Sequence, residues 1–259
     1  MDIVELRNSN LKRHPWELAR FEVLLRLINT IIPPSTSKQS VWDIGCGDCF
    51  FAIQLLNARP DLEIIGIDPA YSIEDALSKT NAINDSRFHL YRDIDDVIPF
   101  LQNKPADLIL LLDVIEHIPD DTIFIQELMA KLNARPGTNI LITVPAFQSL
   151  FTQHDHFLLH YRRYSLKKIK QTVKKTGADK VETGYFFFSL LIPRIIQKLT
   201  EKCGVNKKQE GIGNWNGGPL LTSFLKNILI IDFTFTRLIK KAGINLPGLS
   251  VYCICRKPV

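Results

Sequence analysis

The sequence lacks the features that mark secreted, disulfide-stabilised or repetitive proteins. Its N-terminal residues are charged and contain no apolar stretch of the kind found in a secretory signal, so we expect a cytoplasmic protein. It has five cysteines, an odd number that gives no disulfide framework in a chain of this length, and we expect reduced thiols. It also contains no internal repeat and no low-complexity tract.

What the chain does have is enough length and apolar content to bury a substantial core. It contains 259 residues, of which 46% are hydrophobic, and this length suits one large domain that carries an insertion. The formal net charge is +5 at pH 7. This mildly basic balance is compatible with nucleic acid, a membrane surface or an acidic small molecule as partner, and it does not choose among them.

Short apolar runs alternate with helical patterns along most of the chain. An amphipathic helix over 14–32 comes first, and the runs that follow are VWDI, EIIGID, FHLY, DLILLLD and NILITVP. Continuous hydrophobic runs are typical of strands buried on both faces. KVETGYFFF and LSVYCICRK supply a sixth and a seventh strand. The pattern predicts an α/β fold with a doubly wound, seven-stranded, Rossmann-like sheet.

An insertion lies between the sixth and seventh predicted strands. Residues 189–249 contain two apolar, basic helical segments separated by GIGNWNGGP. On the first segment an apolar stripe is formed by Leu191, Ile195, Leu199 and Cys203. Charges interrupt the only apolar run near the roughly 20 residues that a membrane-spanning helix needs, so we expect amphipathic surface helices. The predicted organisation is an N-terminal helical cap (1–38), a core (39–188), the insertion as a lid or membrane anchor (189–249) and the last core strand (250–259).

A glycine loop follows the first predicted strand, in VWDIGCGDCF. Gly45 and Gly47 let the backbone turn tightly at a helix N-terminus, but a dinucleotide fingerprint would need a third glycine where this chain has Phe50. Asp43 ends the strand, where it can receive a ligand's ammonium group. Asp68 follows about 20 residues later, where a carboxylate accepts hydrogen bonds from ribose hydroxyls. The set predicts a site for a nucleoside with a cationic amino-acid tail, with a phosphate-binding or purely structural glycine turn as the alternative.

Four successive motifs, DIGCGDC, GIDPA, YRDID and LLLDVIEHIPD, resemble those of class I S-adenosylmethionine-dependent methyltransferases. The likeness covers roughly 41–188 and the last strand, and it is to the branch of the ubiquinone and menaquinone biosynthesis enzymes. It implies S-adenosyl-L-methionine as the cofactor. By this resemblance, the methionine moiety is held by Asp43, Gly45, Cys46 and Gly47, the ribose by Asp68 and Pro69, the adenine by Asp93 and Ile94, and the floor beneath the sulfonium is lined by Asp113 and Val114. Cys49 departs from the family, which usually has a third glycine there.

Cys46 and Cys49 also have the spacing of a zinc knuckle or a redox pair. They lie inside the cofactor loop and no second cysteine pair follows, so we expect no metal at this position. His117, in DVIEHIP, follows the fourth strand. It is a candidate catalytic base, and a packed structural histidine is the alternative.

The stretch HDHFLLHYRRY, residues 154–164, follows the fifth strand and therefore overhangs the carboxyl edge of the sheet, where ligands bind in open α/β folds. Methyl transfer requires an oriented acceptor and, where the acceptor carries a proton, a base that removes it. His154 or His160 is the candidate base. Arg162 and Arg163 are candidates for gripping a carboxylate or phosphate of the acceptor.

Other roles for this stretch stay open. A divalent metal could use His154, Asp155, His156 and His160, but a strand would point His154 and His156 in opposite directions, and we expect no metal. The arginines could form salt bridges with Asp113 or Glu116 instead, and the tyrosines could be packing residues. Related methyltransferases often carry a similar HYRRY run and a similar HPW…R motif, and this resemblance adds Tyr161, Trp16 and Arg20 to the candidate substrate-binding residues.

Together these patterns favour a methyltransferase that acts on a small-molecule or lipid-linked acceptor by O- or C-methylation. A catalytically silent cofactor-binding protein, serving as a membrane-attached or partner-binding regulator, is the alternative. Phe50 and Asp43 oppose a nicotinamide oxidoreductase. Nucleic acid is not expected because the basic residues are not interleaved with aromatic stacking platforms. Because the insertion is basic, the inner face of an anionic membrane is a second candidate partner.

Overall fold

The computed structural model describes residues 12–97, 105–131, 137–202 and 215–258. The strands are β1 (Gln39–Ile44), β2 (Leu62–Ile67), β3 (Phe88–Tyr91), β4 (Leu108–Leu112), β5 (Asn139–Pro145), β6 (Asp179–Phe186) and β7 (Ser250–Arg256). The helices are α1 (Pro15–Ile31), α2 (Phe50–Ala58), α3 (Ile73–Ile83), α4 (Asp121–Lys131), α5 (Gln153–Phe157), α6 (Leu166–Lys175), α7 (Leu191–Lys202) and α8 (Pro219–Lys241). The sequence DDVIPFLQ (95–102), which has a helical pattern and follows the third predicted strand, lies partly outside the described residues.

The seven strands form one sheet in the order β3-β2-β1-β4-β5-β7-β6, which confirms the predicted fold. The first five strands run parallel, whereas β7 runs antiparallel to both β5 and β6. The strand order reverses between β1 and β4. In open α/β sheets a crevice forms at this reversal, outside the carboxyl ends of the strands, and ligands bind there.

Both faces of the sheet are covered, which explains the continuous hydrophobic runs in the strands. On one face α1, α2 and α8 pack against the sheet, and on the other α4 and α6 do so. Buried side chains of the first core include Leu24, Leu55 and Phe233, and those of the second include Ile125 and Ile169.

The N-terminal helix α1 begins at a well-formed cap. His14 lies at the N-cap and its Nδ1 accepts a hydrogen bond from the backbone of Trp16 (3.1 Å), while Glu17 accepts one from the backbone of His14 (3.1 Å). Pro15 occupies the first turn, where its missing N–H costs nothing. These contacts fix the start of a helix whose polar face points toward the carboxyl edge of the sheet at Arg20.

The insertion contributes α7 and α8, whose outward faces are apolar. On α8, Leu229 and Phe233 are buried in the core, yet large side chains on its other side are exposed, namely Leu220, Phe224, Ile231, Phe235 and Leu238. On α7 the exposed apolar residues are Ile192, Ile195, Ile196 and Leu199, at the spacing of one helix face. Leu191, predicted to share a stripe with Ile195 and Leu199, is buried instead. Cys203 of that stripe and part of the glycine-rich break (211–214) lie outside the described residues.

One helix within the described ranges, α8, is long and apolar enough by length and composition to cross a membrane, and 17% of its most apolar stretch is buried. Its inner side packs against α1, with Arg26 donating a hydrogen bond to Thr234 (2.9 Å). The helix is therefore docked on the domain through one side, at Leu229, Phe233 and Thr236.

Candidate active site

The glycine loop after β1 contains three residues with positive backbone φ: Gly45 (+72°), Gly47 (+55°) and Cys49 (+66°). A Cβ at Gly45 would lie 2.7 Å from Cγ2 of Val114, so the close approach of the two strand ends requires glycine there. Cys49 adopts the left-handed conformation at the N-cap of α2, where a non-glycine residue is strained. This conformation explains why a glycine is the usual residue at the position of Cys49. The neighbouring Cys46 is buried.

Asp43 lies at the end of β1 beneath this loop. Its side chain is buried, and no hydrogen-bond donor within the described residues reaches its Oδ1. Burial and the nearby Asp68 carboxylate raise the pKa of Asp43 to about 7, although the Arg20 guanidinium opposes the shift. A buried carboxylate with an open oxygen is costly unless a cation or donor meets it. Asp43 therefore has an open acceptor oxygen at the position where the sequence predicts a contact with an ammonium group.

Asp68, at the end of β2, holds the loop from the other side. Its Oδ2 accepts a hydrogen bond from the backbone of Gly47 (2.8 Å), and its Oδ1 accepts one from the backbone of Ala70 (3.0 Å). A carboxylate has about four acceptor positions, so both oxygens keep lone pairs for further donors. The following Pro69 is exposed beside it, and the Tyr71 hydroxyl donates to the Gly47 carbonyl (2.9 Å).

The predicted adenine contacts follow β3 at the same edge of the sheet. Asp93 is exposed and its Oδ1 accepts a hydrogen bond from the backbone of Asp95 (2.9 Å). Ile94 is half-buried against the second core. The structure therefore places one carboxylate and one partly exposed apolar side chain next to each other after β3, where the resemblance predicts the adenine contacts.

Beyond β4, Asp113 forms a small network with α1. Its backbone φ is +58°, a strained value for a residue with a side chain. Its Oδ2 pairs with the Arg20 guanidinium (2.8 Å), its Oδ1 accepts from the hydroxyl of Thr143 (3.0 Å), and Arg20 also donates to that hydroxyl (2.9 Å). Arg20 lies over the ring of Trp16, 5.4 Å from its centroid. The structure thus brings both predicted N-terminal residues to the crevice.

Two of the three candidate catalytic histidines come together. His117 ends the 3₁₀ turn Ile115–His117 after β4, and its ring meets that of His160 edge to face, with centroids 4.6 Å apart. Glu116, in the same turn, is fully buried, and neither of its carboxylate oxygens has a hydrogen-bond partner within the described part of the chain. Burial, and then the charge of Asp113, raises the pKa of Glu116 well above its usual value. Sequence reasoning had considered Glu116 only as a partner for arginine.

His160 is oriented by a group of buried polar residues that we call the Asp155 cluster, formed by Thr152, Asp155, His160, Arg163 and Arg194. Asp155 Oδ1 contacts Nδ1 of His160 (2.9 Å) and accepts from Arg163 (2.7 Å), while Oδ2 accepts from Arg194 (2.8 Å) and from the backbone of Thr152 (2.9 Å). Burial alone would raise the pKa of Asp155, but the bonds from His160 and Arg163 hold it far below its usual value. The cluster ties α5 and His160 to α7.

The remaining residues of HDHFLLHYRRY have mainly structural contacts. Arg163 donates hydrogen bonds to Asp155 and to the carbonyl of Ala146. Arg162 pairs with Asp121 (3.2 Å) and donates to the carbonyl of Pro119 (2.6 Å). Both arginines therefore form salt bridges within the protein, the alternative to binding the acceptor, but their partners are Asp155 and Asp121 rather than Asp113 or Glu116. Buried Tyr164 is a packing residue that donates to Asp121 (2.8 Å). Tyr161 is exposed.

His154, the third candidate base, lies on α5. Its ring stacks on Phe157 with centroids 6.5 Å apart. Burial and the charge of Arg194 lower its pKa. The segment is a short helix rather than a strand, so His154 and His156 do not alternate across a sheet as considered from the sequence.

The chain shows likeness to known methyltransferases. A family model described as a methyltransferase domain matches residues 16–183, more than half of the chain. A comparison with curated protein sequences gave no match. Among solved structures, a phosphoethanolamine N-methyltransferase 2 from Haemonchus contortus, bound to phosphomonomethylethanolamine and S-adenosylhomocysteine, aligns with a TM-score of 0.54 at 19% identity. The alignment covers 91% of this chain but 52% of that one, so this chain spans about half the length of that protein.

Two further structures align over most of both chains. A protein described as a sarcosine dimethylglycine methyltransferase, from Galdieria sulphuraria, has a TM-score of 0.54 at 15% identity and covers 94% of this chain and 86% of its own. The plantazolicin methyltransferase BamL, solved with S-adenosylhomocysteine and an acceptor analogue, has a TM-score of 0.54 at 15% identity with 95% and 86% coverage. At these identities the likeness establishes the fold.

Proposed function

The chain belongs to the methyltransferase-domain family, whose class I members use S-adenosylmethionine, and from this premise we propose that it transfers a methyl group from S-adenosylmethionine to a small-molecule or lipid-linked acceptor. The observation that carries the proposal is the open carboxylate oxygen of buried Asp43 beneath the glycine loop. A donor with an ammonium group supplies the missing partner there. The neighbours solved with S-adenosylhomocysteine support the same choice of cofactor.

The residues of this chain would hold the donor in three places. Asp43 binds the ammonium group, Asp68 offers its free lone pairs to the ribose hydroxyls, and Ile94 with Asp93 meets the adenine. Gly45 and Gly47 allow the backbone to approach the methionine moiety without side-chain collisions. Val114 and Asp113 lie beneath the position of the sulfonium, whose methyl group is the one transferred.

The acceptor lies on the side of His117 and His160. The Nδ1 of His160 contacts Asp155, which leaves Nε2 to take a proton from an acceptor hydroxyl or an acidic carbon. Asp155 fixes the tautomer and the direction of the ring, as a carboxylate does for a catalytic histidine. This arrangement supports O- or C-methylation.

A lipid surface is the second part of the proposal. The helices α7 and α8, which follow one another along the chain, each expose several large apolar side chains, and exposed apolar surface of this kind is typical of interaction sites. The exposed lysine Lys241 lies at the end of α8 and adds attraction to anionic headgroups. Such docking would bring the crevice to a hydrophobic or lipid-linked acceptor.

Donor binding and turnover can be measured separately. Calorimetric titration of the protein with S-adenosylmethionine and with NADH should show binding of the first alone. Labelled donor, incubated with the protein and with lipid and metabolite extracts, should yield S-adenosylhomocysteine and a labelled product that mass spectrometry identifies. Tight donor binding with no turnover on any extract would instead favour the catalytically silent regulator.

Vesicle sedimentation tests the lipid surface. Binding should rise with anionic lipid, fall with salt and weaken in the double variant Ile231→Ser, Phe235→Ser, which removes outward side chains. The matched control Ile73→Ser, Leu77→Ser removes two exposed apolar residues of α3 and should bind like the parent. Lys198 and Lys240 are poor probes because they bond Phe151 and Glu182 within the protein. Equal recovery in the supernatant with neutral and anionic vesicles at low salt would overturn this part.

A further inference from the structure

Three potential metal ligands converge at the acceptor side of the crevice. Glu116, His117 and His160 each offer one ligand atom, and these atoms all lie within 4.8 Å of one another. Two come from the 3₁₀ turn after β4 and the third from the segment after β5, so the fold brings together residues more than forty positions apart. Bonds from zinc to nitrogen and oxygen ligands are about 2.0–2.2 Å long, so modest side-chain rotation closes the set around an ion.

Glu116 provides an independent reason to expect a cation. It is fully buried, and both of its oxygens lack a hydrogen-bond partner within the described ranges. The nearest guanidinium groups are committed elsewhere, Arg20 to Asp113 and Arg163 to Asp155. The cost of burying this carboxylate is avoided either by protonation or by coordination to a metal ion, which displaces the proton.

His160 has the support that a metal-bound histidine requires. Asp155 contacts its Nδ1 at 2.9 Å, which leaves Nε2 as the coordinating atom and fixes the plane of the ring. A carboxylate behind a histidine is the common outer partner of metal-ligating imidazoles because it fixes the tautomer and raises ligand basicity. Asp155 itself is held by Arg194 and Thr152, so this support is rigid.

We propose that Glu116, His117 and His160 form a binding site for a divalent transition-metal ion, with zinc as the best-matched probe. Two imidazoles and one carboxylate suit Zn²⁺ better than Mg²⁺, which prefers an all-oxygen shell. The set differs from the four residues of 154–160 that the sequence analysis considered before it expected no metal: Asp155 is saturated by its partners, and His156 is exposed, with its ring on Phe151. Three protein ligands leave a position open. If the proposed methyl transfer holds, an acceptor hydroxyl could occupy it, and the ion would then promote loss of the hydroxyl proton in place of His160, whose Nε2 is coordinated.

The test measures metal binding directly and needs no activity. Chelator-treated protein is titrated with Zn²⁺ by competition with a chromophoric chelator, and with Co²⁺, whose visible spectrum reports its coordination number. Glu116→Gln keeps the size of the side chain and removes its charge, and His160→Gln removes the imidazole. We expect either change to weaken Zn²⁺ binding at least tenfold and to abolish the Co²⁺ bands, and we expect Mg²⁺ at equal concentration not to compete.

His156→Ala is the matched control because it removes a histidine from the same segment outside the cluster, and it should bind Zn²⁺ like the parent. Circular dichroism of each metal-free variant checks folding, and either Glu116→Gln or His160→Gln suffices if the other fails to fold. Equal affinities for parent, Glu116→Gln and His156→Ala would overturn the proposal. Zinc binding without any methyl transfer would leave the metal site standing and count against the proposed function alone.

Discussion

Two sets of buried carboxylates in this protein have opposite surroundings. At the strand ends, Asp43 and Glu116 are buried with oxygens that no described residue bonds. In the Asp155 cluster the carboxylate is just as buried, but four neighbours satisfy both oxygens. Asp43 and Glu116 thus have open oxygens that a bound cation or hydrogen-bond donor can meet, whereas both oxygens of Asp155 are already paired within the protein. Removing carboxylates one at a time should therefore separate effects on binding from effects on stability.

The largest loss of stability should follow Asp155→Ala. This change leaves the guanidinium groups of Arg163 and Arg194 buried without their counter-charge, which typically costs about 3–5 kcal/mol. Chemical denaturation measures the free energy of unfolding. Asp95→Ala, which breaks the exposed pair with Lys131, is the control and should leave the unfolding midpoint unchanged. If the two variants unfold alike, the Asp155 cluster is not the scaffold we infer.

His160→Ala should reduce turnover about 10²-fold, because the change removes the proton acceptor or, where the proposed ion is bound, one of its ligands, while donor affinity stays the same. His154→Ala should have a smaller effect since that ring stacks on Phe157. Steady-state rates of S-adenosylhomocysteine formation, with donor affinity by calorimetry, make the comparison. A larger rate loss in His154→Ala than in His160→Ala would reassign the base.

Asp68→Ala should weaken S-adenosylmethionine binding by about 1.5–3 kcal/mol, since two ribose hydroxyls lose a charged acceptor. The change also removes the acceptor for the Gly47 backbone, so the loop itself loses a restraint. Calorimetry at fixed pH measures the dissociation constant. An unchanged constant would remove Asp68 from the site.

The smallest effect is a dependence of donor affinity on pH. The pKa of Asp43 is about 7 in the free protein, and an ammonium group binds its ionised form. Affinity should therefore be highest between about pH 7 and pH 8, fall by up to about tenfold per pH unit below the pKa of Asp43, and fall again at higher pH as the donor's ammonium group loses its proton. Asp43→Asn should bind weakly at every pH and flatten this slope. A parent protein whose affinity does not change between pH 8 and pH 6 would contradict this role.

The same carboxyl affects stability in the opposite sense. Its folded-state pKa lies above the ordinary value of 3.8, so the folded protein holds the proton more tightly than the unfolded chain does. This contribution to stability is complete below about pH 4 and is lost as the pH rises toward 7. Asp43→Asn should remove that part of the pH dependence from denaturation curves.

The donor side of the site could be predicted from the sequence because its signals are local. Asp43, Gly45 and Gly47 stand within one strand and turn, and Asp68 ends the next strand. The Asp155 cluster could not be predicted, since Arg194 is 39 residues from Asp155 and comes from the insertion. Nor did the sequence say which side of α8 is buried, because large apolar residues occur on both. Cys49 was identified as a departure, and its φ of +66° gives the physical reason.

The ion pair between Arg194 and Asp155 makes the insertion a poor candidate for modular engineering. Joining residue 188 directly to residue 250 would uncover the part of the core that α8 covers, and it would strip one cation from the carboxylate that orients His160. Grafting the insertion onto another domain would carry away that cation without its partner. A more soluble version of the protein is better sought by redesigning outward side chains such as Ile231 and Phe235, which lie on the exposed side of α8.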